Sequence, residues 1–220
     1  MREPEHKTRT FCTHVKAWAQ RFGLVLPEAL CEKLSEHYAL LLRWNERINL
    51  TRIVEPEEAA RFHYVESLYG ERFLDPSIQK IVDVGSGGGF PGIPLALARP
   101  DTRVVLIEKD RKRAIFLLEA IRQLGLRNAD VFHGRFEAYG HRDFDGLTCR
   151  ALERMREKLP DLLAFAEGSA QVLLFGESAL ENIIRCHTGI LWEIRSIAIP
   201  YSQKRQVFLL RRSNTAICST

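Results

Sequence analysis

No stretch of this chain is apolar for the length of a membrane span, which excludes a helical membrane protein and leaves no membrane partner to expect. The first ten residues are charged and contain no apolar core, so a secretory signal is not expected there. The five cysteines (Cys12, Cys31, Cys149, Cys186 and Cys218) are scattered, odd in number and without a C-x-x-C pair. That argues against a disulfide framework or a zinc site and for reduced thiols in a cytoplasm. Metal-ligand spacing is missing, so no metal is expected, and no hydrolase triad motif occurs. Repeats and low-complexity tracts are also lacking, which leaves an ordinary folded domain. Strong charge bias is absent too. Thirty-two basic residues against 28 acidic ones leave a net charge of +4, which permits a nucleic-acid partner without requiring one.

What is present is organised around Ile81-Val82-Asp83-Val84-Gly85-Ser86-Gly87-Gly88-Gly89-Phe90-Pro91-Gly92. β-Branched residues around one carboxylate, followed at once by glycines, read as a buried strand entering a tight turn. Glycine there permits φ > 0 and removes the Cβ that would hold a ligand off the backbone. The turn leads into a short helix over 93–98 whose free N–H groups can face a ligand. Two cofactors compete. Residues 87–92 satisfy G-x-G-x-x-G, but the strand closes at Gly85, and the pattern counted from Gly85 puts Phe90 where the third glycine belongs. Asp83-x-Gly85-x-Gly87-x-Gly89 instead resembles the first motif of class I S-adenosylmethionine (SAM) methyltransferases, in which a strand-end carboxylate organises the amino-acid end of SAM. SAM is favoured over a nicotinamide cofactor.

Upstream, helices are expected over 11–22, from Pro27 to about residue 48, and over 57–68. Asp75-Pro76 reads as the linker between a helical N-terminal extension, 1–75, and a methyltransferase domain, 76–220. From Lys80, strands over 81–84, 103–108, 130–133, 144–149 and 170–175 alternate with helices over 93–98, 111–124, 153–166 and 177–187. Strands over 193–199 and 206–211 follow as an antiparallel pair. The expected fold is α/β, a doubly wound, mostly parallel seven-stranded sheet.

Several residues could carry chemistry. Glu108 ends the second strand about 20 residues past the glycine turn, where a carboxylate can accept from ribose hydroxyls. Phe136 and Glu137 follow the third strand, and their backbone amides could read an adenine edge. Arg150, at the end of the fourth strand, could fix a phosphate or a base; a structural ion pair is the competing reading. Cys149 has no base beside it in the sequence that would make it a nucleophile. Lys109, Arg111, Lys112 and Arg113, with Arg43, Arg47, Arg52 and Arg61, could form a phosphate-binding surface or be solvated faces.

With these residues in view, the chain resembles the bacterial 16S rRNA guanine-N7 methyltransferases of the GidB/RsmG type. The likeness rests on Trp44-Asn45 with Ile48-Asn49-Leu50-Thr51, on Arg61-Phe62-His63-Tyr64-Val65-Glu66-Ser67-Leu68, and on Pro91-Gly92-Ile93-Pro94 after the glycines. Gly134-Arg135-Phe136-Glu137, Phe144-Asp145-Gly146 and Cys149-Arg150-Ala151 extend it. The resemblance implies methyl transfer to N7 of a guanine in the 530 loop of 16S rRNA, with the rRNA, the 30S subunit or its precursor as partner. It places SAM on Asp83, Gly85, Ser86, Gly87, Gly89, Phe90, Glu108, Phe136 and Glu137, with Arg150 beside the methyl group as the catalytic candidate. Arg43, Arg47, Arg61, Lys112 and Arg113 are the candidates for RNA contact. Phe175 stands where the family usually carries lysine, and Arg150 or Arg211 is the candidate to supply the missing cation. The alternatives are a SAM enzyme acting on another RNA or a small molecule, a SAM-binding ribosome-assembly factor without catalysis, and a nucleotide oxidoreductase.

Overall fold

The computed structural model describes residues 3–150, 155–188 and 192–213. The side chains described begin at residue 7. Cys218, Ala151-Leu152 and the expected start of the 153–166 helix lie outside the described residues.

Helices α1 (Glu3–Arg21) and α2 (Glu28–Asn45) come first, and Pro27 precedes the first turn of α2. Next come α3 (Pro56–Ala59), a π-helical turn (Ala60–Val65) and α4 (Glu66–Glu71). The helix expected over 57–68 is therefore interrupted. The wider turn leaves the carbonyls of Phe62 and His63 to accept from the Arg150 guanidinium, a bond that sequence spacing could not foresee.

The core layer is one seven-stranded sheet in the order β3-β2-β1-β4-β5-β7-β6. Its strands are β1 (Lys80–Val84), β2 (Arg103–Glu108), β3 (Ala129–His133), β4 (Gly146–Arg150), β5 (Gln171–Glu177), β6 (Trp192–Ala198) and β7 (Arg205–Arg212). The first five run parallel, and β7 is antiparallel to both β5 and β6. Between the strands lie α5 (Gly92–Ala98), α6 (Arg111–Leu124), α7 (Met155–Phe165) and α8 (Leu180–Thr188). Helix α6 shows why local sequence suffices for some elements. Asp110 accepts the Arg113 N–H as N-cap, and Gly125 closes the helix in the left-handed region at φ 68°.

Each sheet face carries its own core. Leu173 and Phe175 of β5 face α1 to α6, while Val172 and Leu174 face α7 and α8. Phe11, Leu34, Leu41 and Tyr64 from the N-terminal helices are fully buried in the same core as Ile81 and Leu106. We propose that the described part of the extension expected over 1–75 is a structural layer of the methyltransferase domain, because the apolar side chains of its helices share that core. Strand order reverses at β1, between β2 and β4, which opens the ligand crevice at the carboxyl ends of these strands.

Candidate active site

The glycine turn hangs from the ends of β1 and β2. Gly85 and Ser86 donate their N–H groups to the Ile107 carbonyl at 2.9 and 3.2 Å. Asp83 is fully buried beneath the turn, accepting from the Thr148 hydroxyl at 2.9 Å and from the Gly92 N–H at 3.2 Å. Glu108 accepts the Gly87 N–H on one oxygen at 2.9 Å and the Asp110 N–H on the other at 2.8 Å. A carboxylate offers about four acceptor sites, so both oxygens keep capacity for ribose hydroxyls.

Between β1 and β3 lies an open cleft of about 590 Å³, lined by Gly85, Glu108, Gly134, Phe136 and Glu137 among others. Val84 and Ile107 give it an apolar wall. A carboxylate at the mouth, a glycine turn and an apolar slot fit the ribose, amino-acid and adenine parts of SAM.

Other expected residues sit differently. Ser86 turns inward and donates to the Asp83 carbonyl at 2.8 Å. Phe90 stacks on His63, with ring centroids 4.5 Å apart. These two side chains support the turn from behind, so contact with a ligand would come through their backbone. The Glu137 carboxylate pairs with Lys158 at 3.1 Å, leaving backbone amides as the means by which its turn could read a base. Lys158 also lines the cleft, a residue the sequence did not single out because α7 reaches the site only through folding.

Arg150, the expected catalytic candidate, is held by groups of the protein itself. It lies at the end of β4 but is buried, and its guanidinium donates to the carbonyls of Phe62 and His63 and pairs with Glu66 at 3.4 Å. Burial brings it down to about 10. In this geometry it ties the π-helical turn to the strand end, and the competing reading as an ion pair describes its side chain. Glu66, 1 % exposed, also pairs with Arg205 at 3.0 Å. Burial raises Glu66, while Arg150 and Arg205 pull it back.

Phe175 packs into the core beside Gly70, with the Arg150 guanidinium 5.9 Å from its ring. Arg211 pairs in register with Gln171 at the opposite edge of the sheet, so it cannot supply a cation here. Arg205, opposite Glu177, is the β7 arginine that reaches the carboxyl edge. Cys149 is buried in the core shared with α7 and α8.

The upstream Asn-Leu-Thr block joins this scaffold. The Asn45 side chain accepts from the N–H groups of Leu50 and Thr51 and donates to the Thr51 carbonyl. The Thr51 hydroxyl meets His63 Nε2 at 2.8 Å. Asn45, Thr51, His63 and Phe90 thus connect the end of α2 to the glycine turn. Of the proposed RNA contacts, Arg47, Lys112 and Arg113 line one groove. Arg43 donates to Gln123 across the α2–α6 seam. Arg61 stands apart, its guanidinium 4.6 Å from the Trp18 ring and bonded to the Tyr201 carbonyl.

Burial pushes Asp83 from 3.8 up to about 6. A carboxyl raised on folding holds its proton more tightly in the folded chain, so its ionisation costs stability as pH rises through that interval. The unfolding free energy of wild type minus that of Asp83→Asn is expected to fall by roughly 3 kcal/mol between pH ~4 and ~6 and to stay level above. Urea unfolding across pH ~4–7.5 measures it; a difference independent of pH would refute the assignment.

Comparison with known proteins agrees with this geometry. The family model described as rRNA small subunit methyltransferase G matches residues 30–205. The chain is 39 % identical over 168 residues to the ribosomal RNA small subunit methyltransferase G of Sorangium cellulosum, covering 73 % of this chain and 70 % of that one. It is 35 % identical over 193 residues to the protein of the same name from Chromobacterium violaceum, covering 84 % and 90 %. Among solved structures, the cofactor-bound Rv0187 from MTB superposes with a TM-score of 0.56 at 18 % identity, over 85 % of this chain and 90 % of that one, a likeness of fold. With the family model spanning most of the sequence and the two relatives above 30 % identity, the chain belongs to the rRNA small subunit methyltransferase G family.

Proposed function

We propose that this protein transfers a methyl group from SAM to N7 of a guanine in the 530 loop of 16S rRNA, acting in the cytoplasm on the 30S subunit or its precursor. The observation that carries the reading is the cleft itself, in which the glycine turn and the Glu108 carboxylate meet on a chain of this family.

When bound, SAM supplies an electrophilic methyl on its sulfonium. Guanine N7 carries an in-plane lone pair and no proton, so the chain has no proton to remove. Among the described residues lining the cleft there is no histidine or cysteine, which agrees with the chemistry. The protein's task is alignment, which can contribute roughly 7–11 kcal/mol to lowering the barrier. Glu108 would hold the ribose, and the amides at Phe136 and Glu137 the adenine edge. Asp83 keeps the turn in place from beneath. Arg150 acts as a positioning residue, holding the Phe62–His63 turn against the strand edge where the base must arrive. The product purine is cationic, so carboxylates and carbonyls near this edge favour it more than cations do. The acceptor base must be looped out to reach the cleft.

The test is methyl transfer from labelled SAM to 30S subunits lacking the modification, with the modified base mapped. Labelled N7-methylguanine in the 530 loop is the expected result. SAM bound tightly without transfer would favour another substrate or a binding role; no SAM binding would refute the cleft assignment.

A further inference from the structure

Several surface cations of this protein are neutralised by a neighbour, among them Lys16 by Glu28, Lys80 by Asp143, Arg103 by Asp130 and Arg122 by Glu119. The cations around one groove are not. Exposed Arg47, Arg52, Arg111 and Lys112 make no ion pair among the described residues. Arg47 and Lys112 face each other across a groove of about 710 Å³, between the end of α2 with its following loop and the start of α6.

The groove has a fixed wall. Asn45 clamps the backbone at Leu50 and Thr51, and Arg113 donates to the Asn49 carbonyl at 3.0 Å. Arg113 also lines the SAM cleft, so groove and cleft share a side chain. Three cations, Arg47, Lys112 and Arg113, line the groove against two carboxylates, Glu46 and Asp110, and Asp110 accepts the Arg113 N–H at 2.9 Å as the α6 cap, so the lining keeps a net positive charge. Three consecutive basic residues, with no acid, occupy the first turn of α6, where the helix dipole disfavours positive charge. An arrangement that costs stability without a protein partner points to an anionic ligand from outside.

We infer that this groove holds the phosphodiester backbone of the RNA strand carrying the acceptor base, an inference that rests on the chain acting on RNA. Arg47 and Lys112 contact phosphates, and Arg113 marks the passage from backbone groove to cleft. Arg61, packed against Trp18 and Phe62, is not part of it.

The double variant Arg47→Gln with Lys112→Gln tests this. Its affinity for an RNA fragment containing the 530 loop is measured between ~50 and ~200 mM KCl, with SAM affinity measured by calorimetry on the same protein. Loss of two phosphate contacts should reduce the slope of log affinity against log salt by about 1.4–1.8, with SAM affinity changed less than twofold. The control Arg103→Gln with Arg122→Gln removes the same charge from paired sites and should leave the slope as in wild type. An unchanged slope in the groove variant, an equal fall in the control, or no RNA binding by wild type would overturn the inference. RNA bound without methyl transfer would defeat the proposed function, while the slope difference would still support the groove.

Discussion

A Glu66→Ala variant is expected to unfold roughly 6–20 °C below wild type. Glu66 is 1 % exposed and lies between Arg150 at 3.4 Å and Arg205 at 3.0 Å. Removing it strands Arg150, which is buried, beside a second cation. Breaking a buried pair in this way costs about 3–5 kcal/mol, because the remaining charge has neither water nor a counter-ion. At about 2–4 °C per kcal/mol for a chain of this size, that gives the interval above. The Arg205 side chain keeps 31 % of its exposure, so water relieves its share and the lower half of the interval is favoured. Glu66→Gln retains the volume and one acceptor oxygen and should lose less. Calorimetric melting of the three proteins decides the matter; an alanine variant melting within ~2 °C of wild type would show that the cluster contributes little to stability. The same variant loosens Arg150 from the π-helical turn, so methyl transfer should fall more than SAM binding does.

The second large effect is expected at Gly89. Its φ is 87°, and a Cβ there would lie 2.6 Å from Ile93 Cδ1, 2.9 Å from Ile93 Cγ1 and 3.3 Å from His37 Nε2. Gly89→Ala therefore meets left-handed strain of about 1–3 kcal/mol and overpacking of about 1–3 kcal/mol together. The turn must shift, and SAM affinity should fall on the order of a hundredfold, equivalent to about 2.7 kcal/mol. Gly87→Ala separates the two contributions. Gly87 has φ 54°, but a Cβ there meets nothing nearer than the Gly85 carbonyl at 3.8 Å. It should cost only about 1–2 kcal/mol of stability and weaken SAM binding by occupying open space at the turn. Urea unfolding and SAM calorimetry on both variants test the contrast. Equal stability losses would mean that the Ile93 contact yields without cost.

Local chemistry made much of this protein legible from its residues. The run from Ile81 to Gly92 signals a strand and a ligand turn because its signals are short-range: β-branched side chains, one carboxylate and glycines that can take positive φ. Asp110 and Gly125 mark the two ends of α6 for the same reason, since caps bond within a few residues. The alternation of strands and helices implies a doubly wound sheet, and handedness and short connections leave few other arrangements.

What only the tertiary structure decided lies at long sequence separation. Arg150 bonds to residues 84 to 88 positions away, and which carbonyls it meets depends on the π-helical turn docking on β4. Arg205 rather than Arg211 reaches the carboxyl edge because β7 runs antiparallel to β5, which places its first residue there and its last at the opposite edge. Phe90 and Ser86 turn inward although they lie in the glycine run. Arg61 separates from Arg47 and Lys112 although all three are basic residues of similar expectation. Composition and spacing set which groups a chain carries and where its backbone can turn; which of those groups meet depends on strand register and helix docking, and these are chosen by the burial of the whole core.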